Sequence, residues 1–149
     1  MGREPSAPEL RSRFLYDENL TFVGRALAHV FRDIIAVSAD LPELGRGAKD
    51  EEHIIPWLVE HRAVWVTKDW QRARNRAYAR QLHDLGVSAA WFRPTGRHEL
   101  RAEEFLWVAA KAMLVLPGMF PVGVHGYAII DNFGKVTPLP IGRFLRGNV

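Results

Sequence analysis

A chain of 149 residues, 48% hydrophobic and 25% charged, has the length of one domain and enough apolar material for a packed core, which excludes a largely disordered chain. It has no cysteine, so disulfide scaffolds, thiolate zinc sites and cysteine nucleophiles are excluded as well. The formal charge of +3 is unevenly spread: residues 1–61 carry 7 basic and 11 acidic side chains, residues 62–101 carry 9 and 3, and arginine outnumbers lysine 16 to 4.

Residues 1–12 are polar and contain prolines, and read as a flexible leader without the apolar core of a signal peptide. Residues 13–16 form a short β-like run closed by Asp17-Glu18-Asn19. From 20 to 31 the apolar positions 20, 23, 27, 30 and 31 have helical spacing. Residues 34–37 read as a second strand, and 38–49, with Pro42, Gly45 and Gly47, as a loop. The next helix opens with Asp50-Glu51-Glu52, acids that suit the positive end of a helix dipole; Pro56 either kinks it or moves its true start to about Ile55. Residues 63–67 are a third strand ending at Lys68-Asp69. Residues 71–85 are predicted helical with Gly86 as the C-terminal glycine, 87–92 a fourth strand, and 102–116 a long apolar helix stopped by Pro117-Gly118. Residues 127–130 and 135–139 read as a hairpin around Asp131-Asn132-Phe133-Gly134. No segment offers the roughly 20 uncharged apolar residues of a membrane span. Strands alternating with helices predict an α/β fold with a mostly parallel sheet covered on both faces. Residues 13–116 form its core, and 117–149 are an extension packed on the same domain.

Ligands of such sheets sit beyond the carboxyl ends of the strands. Asp17 directly follows the first predicted strand, Asp69 follows the third, and Asp50-Glu51-Glu52 begins the helix after the second. Three segments thus send acids to one edge. Carboxylates crowded together repel, and a divalent cation offsets that cost. All-oxygen donors suit Mg²⁺ or Mn²⁺, which lower the pKa of bound water and neutralise phosphate charge. Taken singly, each acid reads as a turn or cap residue; the expectation rests on their coincidence. Beyond Asp69, Arg72, Arg76 and Arg80 fall at i, i+4, i+8 and would make one basic stripe, with Arg74 and Asn75 on neighbouring faces. With Lys68, Arg93, Arg97, His98 and Arg101 they could track a nucleic-acid backbone, although a solvated helix face accounts equally for the stripe alone. His53 reads as a helix-surface residue. No Walker loop, dinucleotide fingerprint or nucleophile elbow occurs.

The segments FLYDENL, GAKDEEHIIPWL and VWVTKDWQRARN, in this order and spacing, resemble the compact PIN-like domains of VapC-type toxins over roughly residues 13–116. The resemblance implies a PIN-like three-layer α/β/α fold, here with a C-terminal β-hairpin added, and a metal-dependent endoribonuclease acting on single-stranded RNA. It also implies Mg²⁺ or Mn²⁺ as cofactor, a cognate antitoxin that blocks the site, a homodimer as a further assembly, and a cytoplasmic setting. By position Asp17, Asp50 or Glu51, and Asp69 would be the catalytic, metal-binding acids. Lys68, Arg74 and Asn75 match the family's polar residues beside the site, and Arg72 and Arg76 adjoin them as substrate contacts. Many PIN-like domains use a further acid. Here the later ones are Asp84, Glu99, Glu103, Glu104 and Asp131, and none sits clearly on the active edge. The competing reading is a non-catalytic RNA- or partner-binding module.

Overall fold

The computed structural model describes residues 13–45, 47–93 and 100–149, the side chains of Asp50 and Glu51 excepted. The leader expected over 1–12, and the basic residues Arg97 and His98, lie outside these. Strands β1 (Phe14–Tyr16), β2 (Ile35–Val37), β3 (Val64–Thr67), β4 (Ser88–Phe92), β5 (Tyr127–Ile130) and β6 (Val136–Leu139) form one sheet in the order 2-1-3-4-5-6. All neighbours from β2 to β5 pair parallel, and β6 runs antiparallel to β5. Strands β1 to β4 are buried along their whole length, as their near-continuous apolar runs require. Among the described residues six α-helices accompany the sheet: α1 (Thr21–Ala28), α2 (Ile55–His61), α3 (Arg76–Asp84), α4 (Ala102–Met113), α5 (Leu116–Met119) and α6 (Ile141–Leu145). Among the described residues no helix is long and apolar enough to cross a membrane.

Alternation along the strands sends side chains to two cores. Phe14, Tyr16, Val64, Val66, Ala90 and Phe92 meet Val23 and Leu27 of α1, Val108 to Met113 of α4, and Leu116 of α5. Leu15, Trp65, Ala89 and Trp91 meet Trp57 and Leu58 of α2, Tyr78 and Leu82 of α3, and Phe144 of α6. Helix α1 lies close on its strands because it carries Gly24: a Cβ there would stand 2.9 Å from both Tyr16 Cβ and Val37 Cγ2.

The crossovers do not share one hand. The β1-to-β2 connection passes over the α1 face and steps toward the β2 edge of the sheet. The β2-to-β3 and β3-to-β4 connections pass over the α2 face and step the other way, so these three agree in hand. The β4-to-β5 connection steps in the same direction as β3-to-β4, yet it runs through α4 and α5 on the α1 face, so its hand is opposite. Parallel crossovers are right-handed in about 98% of cases. The exception sets α4 beside α1 and completes the cover of that face. On the other face α4 would compete with α3 and α6 for the same apolar strip.

Three local expectations change. The helix expected over 71–85 is broken: Arg72–Arg74 is a 3-10 turn, Asn75 is extended, and α3 starts at Arg76 with the Tyr78 N–H donating to Asn75 Oδ1 at 3.1 Å. A capping side chain has won over helical periodicity. The helix expected over 102–116 stops at Met113, and Pro117 and Gly118 lie inside α5, the proline in the first turn where its missing N–H costs nothing. After Asp69 no acid sits clearly on the active edge by sequence, yet one is there: residues 89–92 pair parallel with 127–130, so Asp131, after β5, stands at the same edge of the sheet as Asp69.

Candidate active site

The carboxyl edge gathers Asp17 after β1, Ser38 after β2, Lys68 and Asp69 after β3, Arg93 after β4 and Asp131 after β5. β1 and β3 are direct neighbours. The Asp17 N–H donates to the Val66 carbonyl at 3.0 Å, carrying the pairing one residue past β1. The buried Thr67 hydroxyl donates to Asp17 Oδ2 at 3.1 Å and accepts the Asp69 N–H at 3.2 Å. One hydroxyl thus links the two acid-bearing segments, leaving Asp17 half-buried and Asp69 exposed. The Ser38 hydroxyl, at the end of β2, is buried with no hydrogen-bond partner among the described residues.

The Asp50-Glu51-Glu52 segment is the start of a π-turn, Asp50–Ile54, that leads into α2. The N–H groups of His53 and Ile54 both donate to the Lys49 carbonyl, and His53 Nδ1 accepts the Lys49 N–H at 3.0 Å. His53 therefore closes the turn. Upstream, the Trp57 indole N–H donates to Glu43 Oε1 at 3.0 Å, which holds Glu43 below the usual carboxylate range and ties the preceding loop to α2. The side chains of Asp50 and Glu51 lie outside the described residues. Among those described, no group of three or more acidic or histidine side chains is close enough to hold a metal ion. The donors seen together here, the Asp17 carboxylate and the Thr67 hydroxyl, are oxygens, the kind that suits Mg²⁺ or Mn²⁺, and magnesium commonly takes one or two carboxylates while keeping its waters.

The five polar residues expected at the substrate are placed differently from one another. Lys68 is exposed next to Asp69. Asn75 caps α3. The Arg72 guanidinium lies 4.6 Å from the centre of the Tyr78 ring and that of Arg74 5.8 Å from the Trp70 ring. Arg76 Nε donates to the Arg146 carbonyl at 3.2 Å. With the helix broken at Asn75, Arg72 does not share a helical stripe with Arg76 and Arg80.

Two features of this edge went unread in the sequence. Asp131 Oδ1 accepts the N–H groups of Phe133 at 2.8 Å and Lys135 at 3.0 Å, so this acid shapes the turn into β6. Its signal was an apolar run ending in Asp, as at Asp17 and Asp69, but reading 127–130 as a hairpin arm hid the parallel pairing. The second feature is a cleft. A cavity of about 190 Å³ lies between the ends of β3 and β5, lined by Lys68, Trp70, Phe92, Asp131 and Asn132 among others. A second of about 510 Å³ adjoins it, sharing Leu100, Val108 and Asn132 and reaching Trp107 and Phe133. Compared with protein-family models, curated proteins and solved structures, the chain matches none.

Proposed function

We propose that the chain is a metal-dependent endoribonuclease of PIN-like three-layer architecture that cuts single-stranded RNA, acting in the cytoplasm as the toxin of a toxin–antitoxin pair. The observation that supports it most is the Thr67 bridge between Asp17 and the Asp69 backbone at neighbouring strand ends. Asp17, Asp69 and one of Asp50 and Glu51 would hold Mg²⁺ or Mn²⁺, which when bound supplies Lewis acidity and a water of lowered pKa. The chain's own part is positional. Thr67 orients the Asp17 carboxylate, and the exposed Lys68 ammonium meets a phosphodiester at the rim. An antitoxin covering this edge would silence it, and a homodimer belongs to the same reading.

Asp17→Asn tests the assignment. An amide oxygen still accepts from Thr67, so the fold persists, while Mg²⁺-dependent cleavage of unstructured RNA falls by about a hundredfold or more. Wild-type cleavage rates in equally pure Asp17→Asn protein would overturn it. The non-catalytic module is favoured by one observation, the lack of a third metal-facing acid among the described residues. Titration calorimetry with Mg²⁺ and Mn²⁺ beside the cleavage assay separates the two: the module binds single strands with steep salt dependence and turns over nothing.

A further inference from the structure

The expected basic stripe is largely committed to the protein itself, so the path of a substrate past the acids is sought on the other side of Lys68. There the two adjoining cavities form one cleft across the ends of β4 and β5. Its outer walls each carry a large ring left in water: Trp107 on α4 is 59% exposed and Phe133 on the β5–β6 turn 68% exposed. The Lys111 ammonium stands 5.0 Å from the Trp107 ring centre. At the inner end the half-buried Trp70, Asn132 and Lys68 all line the cavity.

Flat rings, an amide able to donate and accept, and a cation at one end suit a flat heteroaromatic ligand that carries its negative charge to one side. Glu103 and Glu104 also line the outer cavity, with the Arg101 guanidinium 3.4 Å and 2.9 Å from their carboxylates. The exposed Lys68 ammonium lies at the inner end, so a strand with its backbone there would turn its bases toward the rings. We infer that this cleft seats unpaired nucleobases of a single-stranded nucleic acid, with Trp107 and Phe133 as stacking platforms and the phosphodiester beside Lys68 and Asp69. A duplex, whose bases are already stacked and paired, does not fit this chemistry. A protein partner is the rival occupant. The cleft's continuity with Lys68, the neighbour of Asp69 in the chain, and the basic balance of residues 62–101 favour the nucleic acid.

The inference deepens the nuclease reading and rests on it for the identity of the strand, so its test is binding without turnover. In EDTA, a short labelled unstructured oligoribonucleotide is titrated against the full chain, beside an abasic strand of the same backbone and a hairpin duplex. The expected result is tight binding of the single strand alone, weakened about tenfold by Trp107→Ala and by Phe133→Ala, with Trp107→Phe retaining most of it. Both positions are exposed, and a thermal melt checks that the variants fold. Equal binding of the abasic strand, or unchanged binding by both alanine variants, overturns the inference. Ring-dependent binding in a wild-type protein that never cleaves RNA sustains the cleft and overturns the nuclease. Cleavage with ring-independent binding does the reverse.

Discussion

Thr67 makes two hydrogen bonds from one buried oxygen. Thr67→Val keeps the β-branched shape but removes both the bond to the Asp17 carboxylate and the one from the Asp69 N–H. A stability loss of about 1–3 kcal/mol is expected in urea titration, with most of it recovered in Thr67→Ser. On the nuclease reading proposed above, cleavage would fall in step, because the Asp17 carboxylate loses one of the bonds that orient it. Asp17 and Asp69 themselves were legible from sequence, since an acid after an apolar strand lands on a predictable edge. Thr67 was not: a threonine in a strand reads as a β-former, and a hydrogen bond between residues 50 apart leaves no local trace. Asn75 was misread for the opposite reason. Its local capping bond overrode a helical pattern that continued on both sides.

At the level of elements, the β5–β6 turn is held against α4 by Gly134. Its φ is +77°, and a Cβ there would stand 2.9 Å from Lys111 Cβ and 3.0 Å from the Val108 carbonyl oxygen. Gly134→Ala is expected to cost about 1–3 kcal/mol in a thermal or urea melt, through the left-handed backbone and the collision with main chain. Phe133, next to Gly134, lines the same cavity as Trp107, so on the inference above the same variant would weaken single-strand binding. The turn was evident in the sequence as Asp-Asn-Phe-Gly, whereas its seat on α4 depends on a crossover of unusual hand that no spacing encodes. The alternation of strands and helices, by contrast, was plain from hydrophobic periodicity, and the mostly parallel pairing follows from it, whereas the strand order does not. The five-residue α6 was missed because so short a segment gives periodicity nothing to act on.

Across the molecule, the two edges of the sheet carry different chemistry. The acids stand at the carboxyl edge, while the opposite edge holds His125, whose Nε2 lies 2.7 Å from the Tyr127 hydroxyl and 3.1 Å from the Val87 carbonyl, with its ring stacked 5.2 Å from that of His83. Burial first, then the nearby His83, pull the His125 pKa below the ordinary histidine value, against the Val87 carbonyl. The folded protein thus takes up this proton less readily than the unfolded chain. The stabilisation is present above about pH 6.5 and is lost as pH falls through the depressed value. Urea midpoints are expected to drop between about pH 7 and pH 5, and His125→Gln to flatten part of that drop. At the other edge, the gap between the segments bearing Asp17 and Asp69 is measured by a main-chain bond, Asp17 N–H to Val66 carbonyl, and so is graduated by the backbone itself. Loosening either hydrophobic layer lowers the temperature at which the whole sheet gives way, but it cannot widen that gap while the sheet persists. Heat then undoes the placement of these two acids in a single step together with the fold, with no earlier fading.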